Sequence, residues 1–417
     1  MKPEIKQRIE QIRRGKVPDG YKKTKAGIIP DMWRCYQIHE CLNICNHERK
    51  PISEDVRKTI PGPYPYYGPT QAQGYITTYE SEGPAVLIGE DGDHFLKYKD
   101  REMTMYVDGK YTVNNHAHVL RGTELCETKW FYYAYQHKSL FDAITRQGAG
   151  RYKLTKEALI KLPLQCPPIG EQRKIISILN TQDKVIELKE KRLAEKQRQK
   201  KYLMQQLLTH EKRLPGFSEE WKIKPLNKVT EKQKKKNNGF QYHLVLSNSA
   251  QHGIVSQEQE FDKEIANDER IDGYYIVVPG AFVYNPRISV TAPCGPINVN
   301  ETGETGIMSP LYTVFTISSP QISQDFLKYY FQSSCWHKYV KGVANYGARH
   351  DRISISDGDF FDMPIPLPTK EEQSYIAKVL SASNREIELL QQDIEQEKQK
   401  KKALMQLLLK GIVRVKI

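Results

Sequence analysis

Apolar residues recur at Ile175, Leu179, Ile186, Leu193, Met204 and Leu207, in the three- and four-residue steps of a helix that buries one stripe. The same phase returns at Ile376, Leu380, Ile387, Leu390, Ile394, Met405 and Leu408. The middle of each seam is polar, with Gln197 and Lys200 falling on Lys398 and Lys401. This predicts two helical rods of about 40 residues, each ~60 Å long at the helical rise. Alone, each rod would leave its stripe in water, so the two are expected to pack together as an antiparallel coiled coil. Ahead of each rod the text changes to Tyr- and Gly-rich sequence with short β-type runs such as "AVLIG" (85–89) and "HAHVL" (116–120). A further helix is predicted from Pro3 to Arg14, with Ile5, Ile9 and Ile12 on one stripe.

The rods open on a repeated phrase. "LPLQCPPIGEQRKIISIL" (162–179) aligns without a gap on "MPIPLPTKEEQSYIAKVL" (363–380), at an offset of 201 residues. Glu171-Gln172 falls on Glu372-Gln373. The regions ahead of the rods echo each other more faintly. Trp33 matches Trp221, Gly74 matches Gly253, "AVLIGE" (85–90) lies against "GAFVYN" (280–285), and "NNHAHVL" (114–120) against "SPLYTVF" (309–315). The chain therefore reads head, rod, head, rod. The expected fold is α+β: two mixed α/β domains joined by two long antiparallel coiled-coil helices, with a pseudo-twofold internal repeat. The segments are an N-terminal helix and connector (1–29), a first head (30–162), a first rod (163–213), a second head (214–362), and a second rod with its tail (363–417). Heads attached at the starts of antiparallel rods lie at opposite ends, the geometry of a reader of two DNA sites separated by a turn or more of ~34 Å.

Charge narrows the partner. A net charge of +13 favours a polyanion, nucleic acid first. A mean hydropathy of −0.64, and no run of about 18 apolar residues, predict a polar protein without a membrane span. The N-terminus lacks the apolar stretch of a signal peptide. Seven cysteines without framework spacing suit the reducing cytoplasm.

The duplicated "P-x-x-x-EQ-x-x-I-x-x-x-L" rod start resembles the specificity subunit of type I restriction-modification systems. The texts "YPYYGPTQAQGYI", "VLIGEDGD" and "NNHAHVL" of the first head are similar to that family's target-recognition domains. So are "VLSNSAQHGIV", "FVYNPR" and "SPLY" of the second. The resemblance covers nearly the whole chain. It implies two target-recognition domains reading the halves of a split double-stranded DNA target, with helices setting the spacer. It also implies docking of two DNA methyltransferase subunits and of restriction/translocase subunits. The chain itself would be non-catalytic and cofactor-free, its partners using S-adenosylmethionine, ATP and Mg²⁺. The rival readings are a specificity subunit of a modification-only or other phage-defence complex, and a coiled-coil scaffold binding RNA or protein.

Catalytic motifs do not compete with this reading. No GxxxxGK[ST] phosphate loop is present, and "ETGETG" (301–306) reads as a turn. "NPRI" (285–288) lacks the second proline and the aromatic residue of an amino-methyltransferase tetrad. Glu90, Asp91 and Asp93 could hold Mg²⁺, but a turn around Gly92 is the expected role. In "HECLNICNH", His39, Cys41, Cys45 and His47 are potential Zn²⁺ ligands at spacings unlike the usual pairs, so packing is expected and no metal site is assigned. The same applies to His116 and His118 in "HAH", with a DNA-facing role left open for one of them.

Arg reads guanine and Asn or Gln read adenine through paired hydrogen bonds, while Lys and Arg anchor phosphates. In the first head the candidates beside glycines are Tyr67, Thr70, Gln71, Gln73, Arg146, Gln147 and Arg151. In the second they are Asn248, Ser249, Gln251, His252, Arg287, Arg349, His350 and Arg352. The run "EKQKKKNN" (231–238) is expected to be a solvated loop or phosphate contact. The nearly identical rod ends, "KKYLMQQLL" and "KKALMQLLL", are expected to finish the seam and to dock partners through Leu203, Leu207, Leu208, Leu404, Leu408 and Leu409.

Overall fold

The computed structural model describes residues 2–148, 151–260, 268–345 and 351–415. The chain forms two compact units, Met1–Lys189 with Asp393–Ile417, and Glu190–Gln392. Each unit holds one head, the opening half of the rod that follows it, and the closing half of the other rod. Among the described residues no helix is long and apolar enough to cross a membrane.

The rods are the helices Ile169–Leu208 and Lys370–Leu408, and they run antiparallel. In the first unit Gln182 donates to Glu397 at 2.6 Å, Lys189 reaches Asp393 at 2.8 Å, and Lys401 reaches Asp183 at 2.7 Å. In the second, Lys196 reaches Glu386 at 2.9 Å. Ile186 and Ile394 are buried, but Leu193, Ile387 and Leu390 are only half-buried. The polar middle is closed by ion pairs worth at most ~1 kcal/mol each at such exposed sites. Its contribution is register more than stability.

The apolar weight sits at the rod ends, inside the heads. In the first unit Ile175 and Leu179 share a core with Met405, Leu408 and Leu409. In the second, Ile376 and Leu380 share one with Met204, Leu207 and Leu208. This corrects the docking expectation. Leu207, Leu208, Leu408 and Leu409 are 1–7% exposed, and Leu203 and Leu404 are half-buried against the same cores. Long apolar side chains next to an unfinished domain core are buried by it, which leaves Leu207, Leu208, Leu408 and Leu409 almost no surface to offer a partner, while Leu203 and Leu404 keep part of theirs.

The heads repeat one sheet. In the first, strands Leu42–Ile44, Ala117–Gly122, Ala85–Gly89 and Thr104–Val107 lie in that order, all antiparallel. In the second the order is Thr230–Lys232, Thr313–Ile317, Phe282–Tyr284, Ile297–Val299. The two pairs of runs matched in the sequence are thus neighbouring strands in each sheet. An aromatic-rich helix packs against each sheet, Thr128–Tyr135 in the first and Gln324–Gln332 in the second.

A latch joins head to rod, and it explains the repeated Glu-Gln. The strand before each rod pairs with the head's first strand: Pro163–Cys166 with Arg34–Gln37, and Pro364–Leu367 with Lys222–Pro225. Glu171, in the first turn of its rod, is fully buried and accepts both forks of Arg414 (2.6 and 2.7 Å) and the Trp33 indole (3.1 Å). Glu372 accepts Arg213 (3.1 and 2.7 Å) and the Trp221 indole (3.0 Å). The neighbouring Gln is a clamp. Gln172 donates to Leu125 O and Pro167 O and accepts from Glu127 N, while Gln373 does the same with Gln321 O, Pro368 O and Ser323 N. In each unit the arginine follows the end of the other unit's rod helix, so the latch holds three chain segments at once.

The rod ends turn alike. Lys212 N bonds to Gln206 O and Val413 N to Leu407 O, each at 3.1 Å, closing a left-handed C-terminal turn. His210 and Gly411 take the left-handed position, both at φ 64°. At Gly411 a Cβ would stand 2.5 Å from Pro30 Cγ and 3.1 Å from Trp33, and its carbonyl accepts the Tyr21 hydroxyl at 2.6 Å. Gly411→Ala is therefore expected to destabilise the first unit by about 2 kcal/mol or more, summing left-handed strain and the clash. Hydrogen exchange resolved to that unit measures it. Loss below a few tenths of a kcal/mol would show that the turn relaxes freely.

Candidate nucleic-acid interface

In the first head the candidates gather around the end of strand Ala85–Gly89. Its continuation, Glu90–Gly92, is gripped from both sides: Glu90 N bonds to His116 O, Leu154 N to Glu90 O, and Gly92 N to Tyr152 O. The hairpin of strands Thr145–Arg146 and Tyr152–Lys153 thereby holds Arg146, Gln147 and Arg151 exposed beside it. On the other side, Asn114 N bonds to Tyr67 O and Asn114 Nδ2 to Gln73 Oε1, bringing in the hairpin of Pro61–Tyr67 and Ala72–Ile76. Thr70 and Gln71 sit at its turn, closed by Gly68 N to Gln71 O. The two candidate groups, distant in sequence, therefore flank one strand end. Tyr67 differs: its ring packs edge-on to Tyr111, and burial raises its hydroxyl pKa. It supports the hairpin.

The acidic group here is structural. Glu90 pairs with Arg49 at 2.7 Å and Lys153 at 3.3 Å, and Asp91 meets His116 at 3.0 Å. His118 is buried, its Nε2 bonding Leu154 O (2.8 Å) and its Nδ1 facing Asn46 Nδ2 (2.9 Å). That commits both ring nitrogens as in a neutral imidazole, and burial holds its pKa below the usual value. His116 is half exposed at the interface. His39, Cys45 and His47 do not converge with Cys41 in a metal-binding group among the described residues.

The second head builds the same site from different chemistry. Asn285-Pro286-Arg287 continues strand Phe282–Tyr284 where Glu90–Gly92 continued its counterpart. Arg287 bridges to Arg352 as Asp91 bridges to Lys153. A cavity of about 390 Å³ opens there, lined by Gln251, Arg287, Ser289, Leu311 and Arg352 among others. Arg287, Gln251 and His252 are exposed, and Arg352 is half-buried. Lys234, Lys235 and Lys236 of the basic run are also exposed, while Asn237 is buried and pins that loop to Tyr242.

Two second-head candidates are corrected to scaffold. Asn248 is 2% exposed, donates to Val283 O at 2.7 Å, and accepts from Asn298 at 2.7 Å. Ser249 is buried, and its hydroxyl receives the Gln251 and His252 amides. Both side chains are spent on the loop that presents their neighbours. Arg349 and His350 lie outside the described residues. Sequence reasoning missed Asn114 and Asn285, whose roles follow from strand ends meeting and carry no local signal; of the two histidines of "HAH" it left open, His116 is the one at the surface.

Residues 30–198 match the family model of the type I restriction modification DNA specificity domain. That match takes in the first head and most of the first rod. A Haemophilus influenzae putative type I restriction enzyme specificity subunit is 34% identical over 143 residues, which are 34% of this chain and 35% of that one. The Methanocaldococcus jannaschii putative MjaX specificity subunit is 23% identical over 95% of this chain and 97% of its own. Two solved folds are similar. One is the S subunit of M. genitalium, with TM-score 0.54 and 11% identity over 92% of this chain and 97% of that one. The other is a chain solved for complex assembly and conformational transition of the type I R-M system, with TM-score 0.53 and 16% identity over 92% and 99%.

Proposed function

We propose that this chain is the specificity subunit of a type I complex, which reads a split duplex target, one half per head, and docks two methyltransferase subunits and the restriction subunits. Those partners would methylate adenine with S-adenosylmethionine and cleave unmodified DNA with ATP and Mg²⁺, while this chain works in the cytoplasm and supplies sequence choice alone. The observation that carries the reading is the repeated site: two heads of one fold, each presenting guanidinium and amide groups around the same strand end, with different residues in each. Equivalent scaffolds carrying different donors suit the reading of two different half-sites. Equivalent rods suit two copies of one partner, and Leu188 and Leu389 recur at the 201-residue offset as exposed leucines, 53% and 48% accessible.

The test is genome-wide mapping of methylated adenine with and without this gene. Loss of one split motif is the expected result, and unchanged methylation overturns the reading. Arg287→Ala with Arg352→Ala should relax the sequence requirement in one half of that motif and leave the other intact. Each lost paired contact is worth about 1–3 kcal/mol of base discrimination. Uniform weakening across all sequences would instead make these arginines phosphate contacts.

A further inference from the structure

Three cysteines meet in the first unit. Cys41 ends the helix Ile38–Cys41, Cys126 lies in the turn before helix Thr128–Tyr135, and Cys166 ends strand Pro163–Cys166. Their sulfurs lie within 4.8 Å of one another, and the residues are 0, 0 and 3% exposed. The second unit shows what these positions otherwise hold. Trp33 falls on Trp221, which sets Cys41 on Val229. The Glu127 amide on Gln172 corresponds to the Ser323 amide on Gln373, which sets Cys126 on Ile322. Cys166 and Leu367 each stand five residues before the latch glutamate. Val229, Ile322 and Leu367 are all buried in the second core, at 0, 2 and 6% exposure.

A buried thiol is an acceptable small apolar filler. That accounts for any one of the three, but not for sulfur replacing an aliphatic side chain at three positions that converge on one point. Three soft donors around one point, without a carboxylate among them, favour closed-shell thiophilic ions over Mg²⁺ or Ca²⁺. We propose that this cluster binds one thiophilic cation, Zn²⁺ or Cu⁺. Each S–H bond is replaced by a sulfur–metal bond, and three protons leave to solvent without change of oxidation state. The ion would tie the head's first helix, the turn clamped by Gln172 and the strand that feeds the rod. Because the sulfurs are closed to solvent, it would be taken up as the chain folds.

The full-length chain is produced in cells supplied with zinc or with copper and purified without chelator. Its metal content is then measured by mass spectrometry beside that of the triple variant Cys41→Val, Cys126→Ile, Cys166→Leu. That variant carries the side chains the second unit already uses at these positions. One ion per wild-type chain and none in the variant is the expected result, the retained metal identifying the ion. Metal-free wild-type protein from both growths, or equal content in the variant, overturns the site. If the variant does not fold, thiol alkylation of the wild-type chain decides alone. Cys41, Cys126 and Cys166 should be protected on unfolding until a chelator is added, and identical labelling without chelator overturns the proposal.

Discussion

Glu372→Ala is expected to cost the second unit about 3–5 kcal/mol, the range for removing one partner of a buried ion pair. The carboxylate is 1% exposed and receives three donors, two from Arg213 and one from Trp221. Its loss strands a guanidinium that is only 18% accessible, together with an indole N–H, in the place where rod, tail and head meet. Glu171→Ala should cost the first unit less, because Arg414 is 35% accessible and rehydrates more easily. Glu372→Gln keeps an acceptor for the indole and should fall between wild type and alanine. Unfolding of such a multi-unit chain is not one transition, so hydrogen exchange resolved to each unit is the measurement. A loss below ~0.5 kcal/mol, typical of an ordinary surface site, would show that the latch is geometric decoration.

Charge at the rod ends is expected to unfold the unit it enters. Leu408→Asp removes ~1.5–3 kcal/mol of side-chain burial and adds the larger penalty of an unpaired buried carboxylate. Against a folding margin of 5–15 kcal/mol for a typical domain, that should melt the first unit in the isolated chain, before any partner is added. Leu207→Asp should do the same to the second. Leu188→Glu, on an exposed part of the rod, is the contrast: the chain should fold as wild type, and loss of methyltransferase co-purification would then report docking. If Leu408→Asp folds normally and loses only its partner, the leucine was a docking residue after all.

The rods were legible because a helix records its buried face locally, in every three- or four-residue step. The duplicated architecture was legible because an offset of 201 residues needs no knowledge of contacts. Even the turn at Gly92 and the packing role of His118 followed from local text. The rod-end leucines were misjudged for a definite reason. A helical stripe states that a side chain is buried, never by what, and the head of the same unit supplies half of that core. Asn248 and Ser249 were misjudged likewise, since a polar residue beside a glycine looks the same whether it faces DNA or holds its own loop.

By itself the sequence determined the head–rod repeat, the amphipathic rods and the basic balance that favours a polyanion. Only the tertiary structure decided which residues close the latches, which candidate residues stay exposed, and that Cys41 meets Cys126 and Cys166 instead of His39 and His47. Periodicity and repetition are properties of neighbours along the chain. Latch, interface and sulfur cluster join residues from 25 to 243 positions apart, and only packing brings those together.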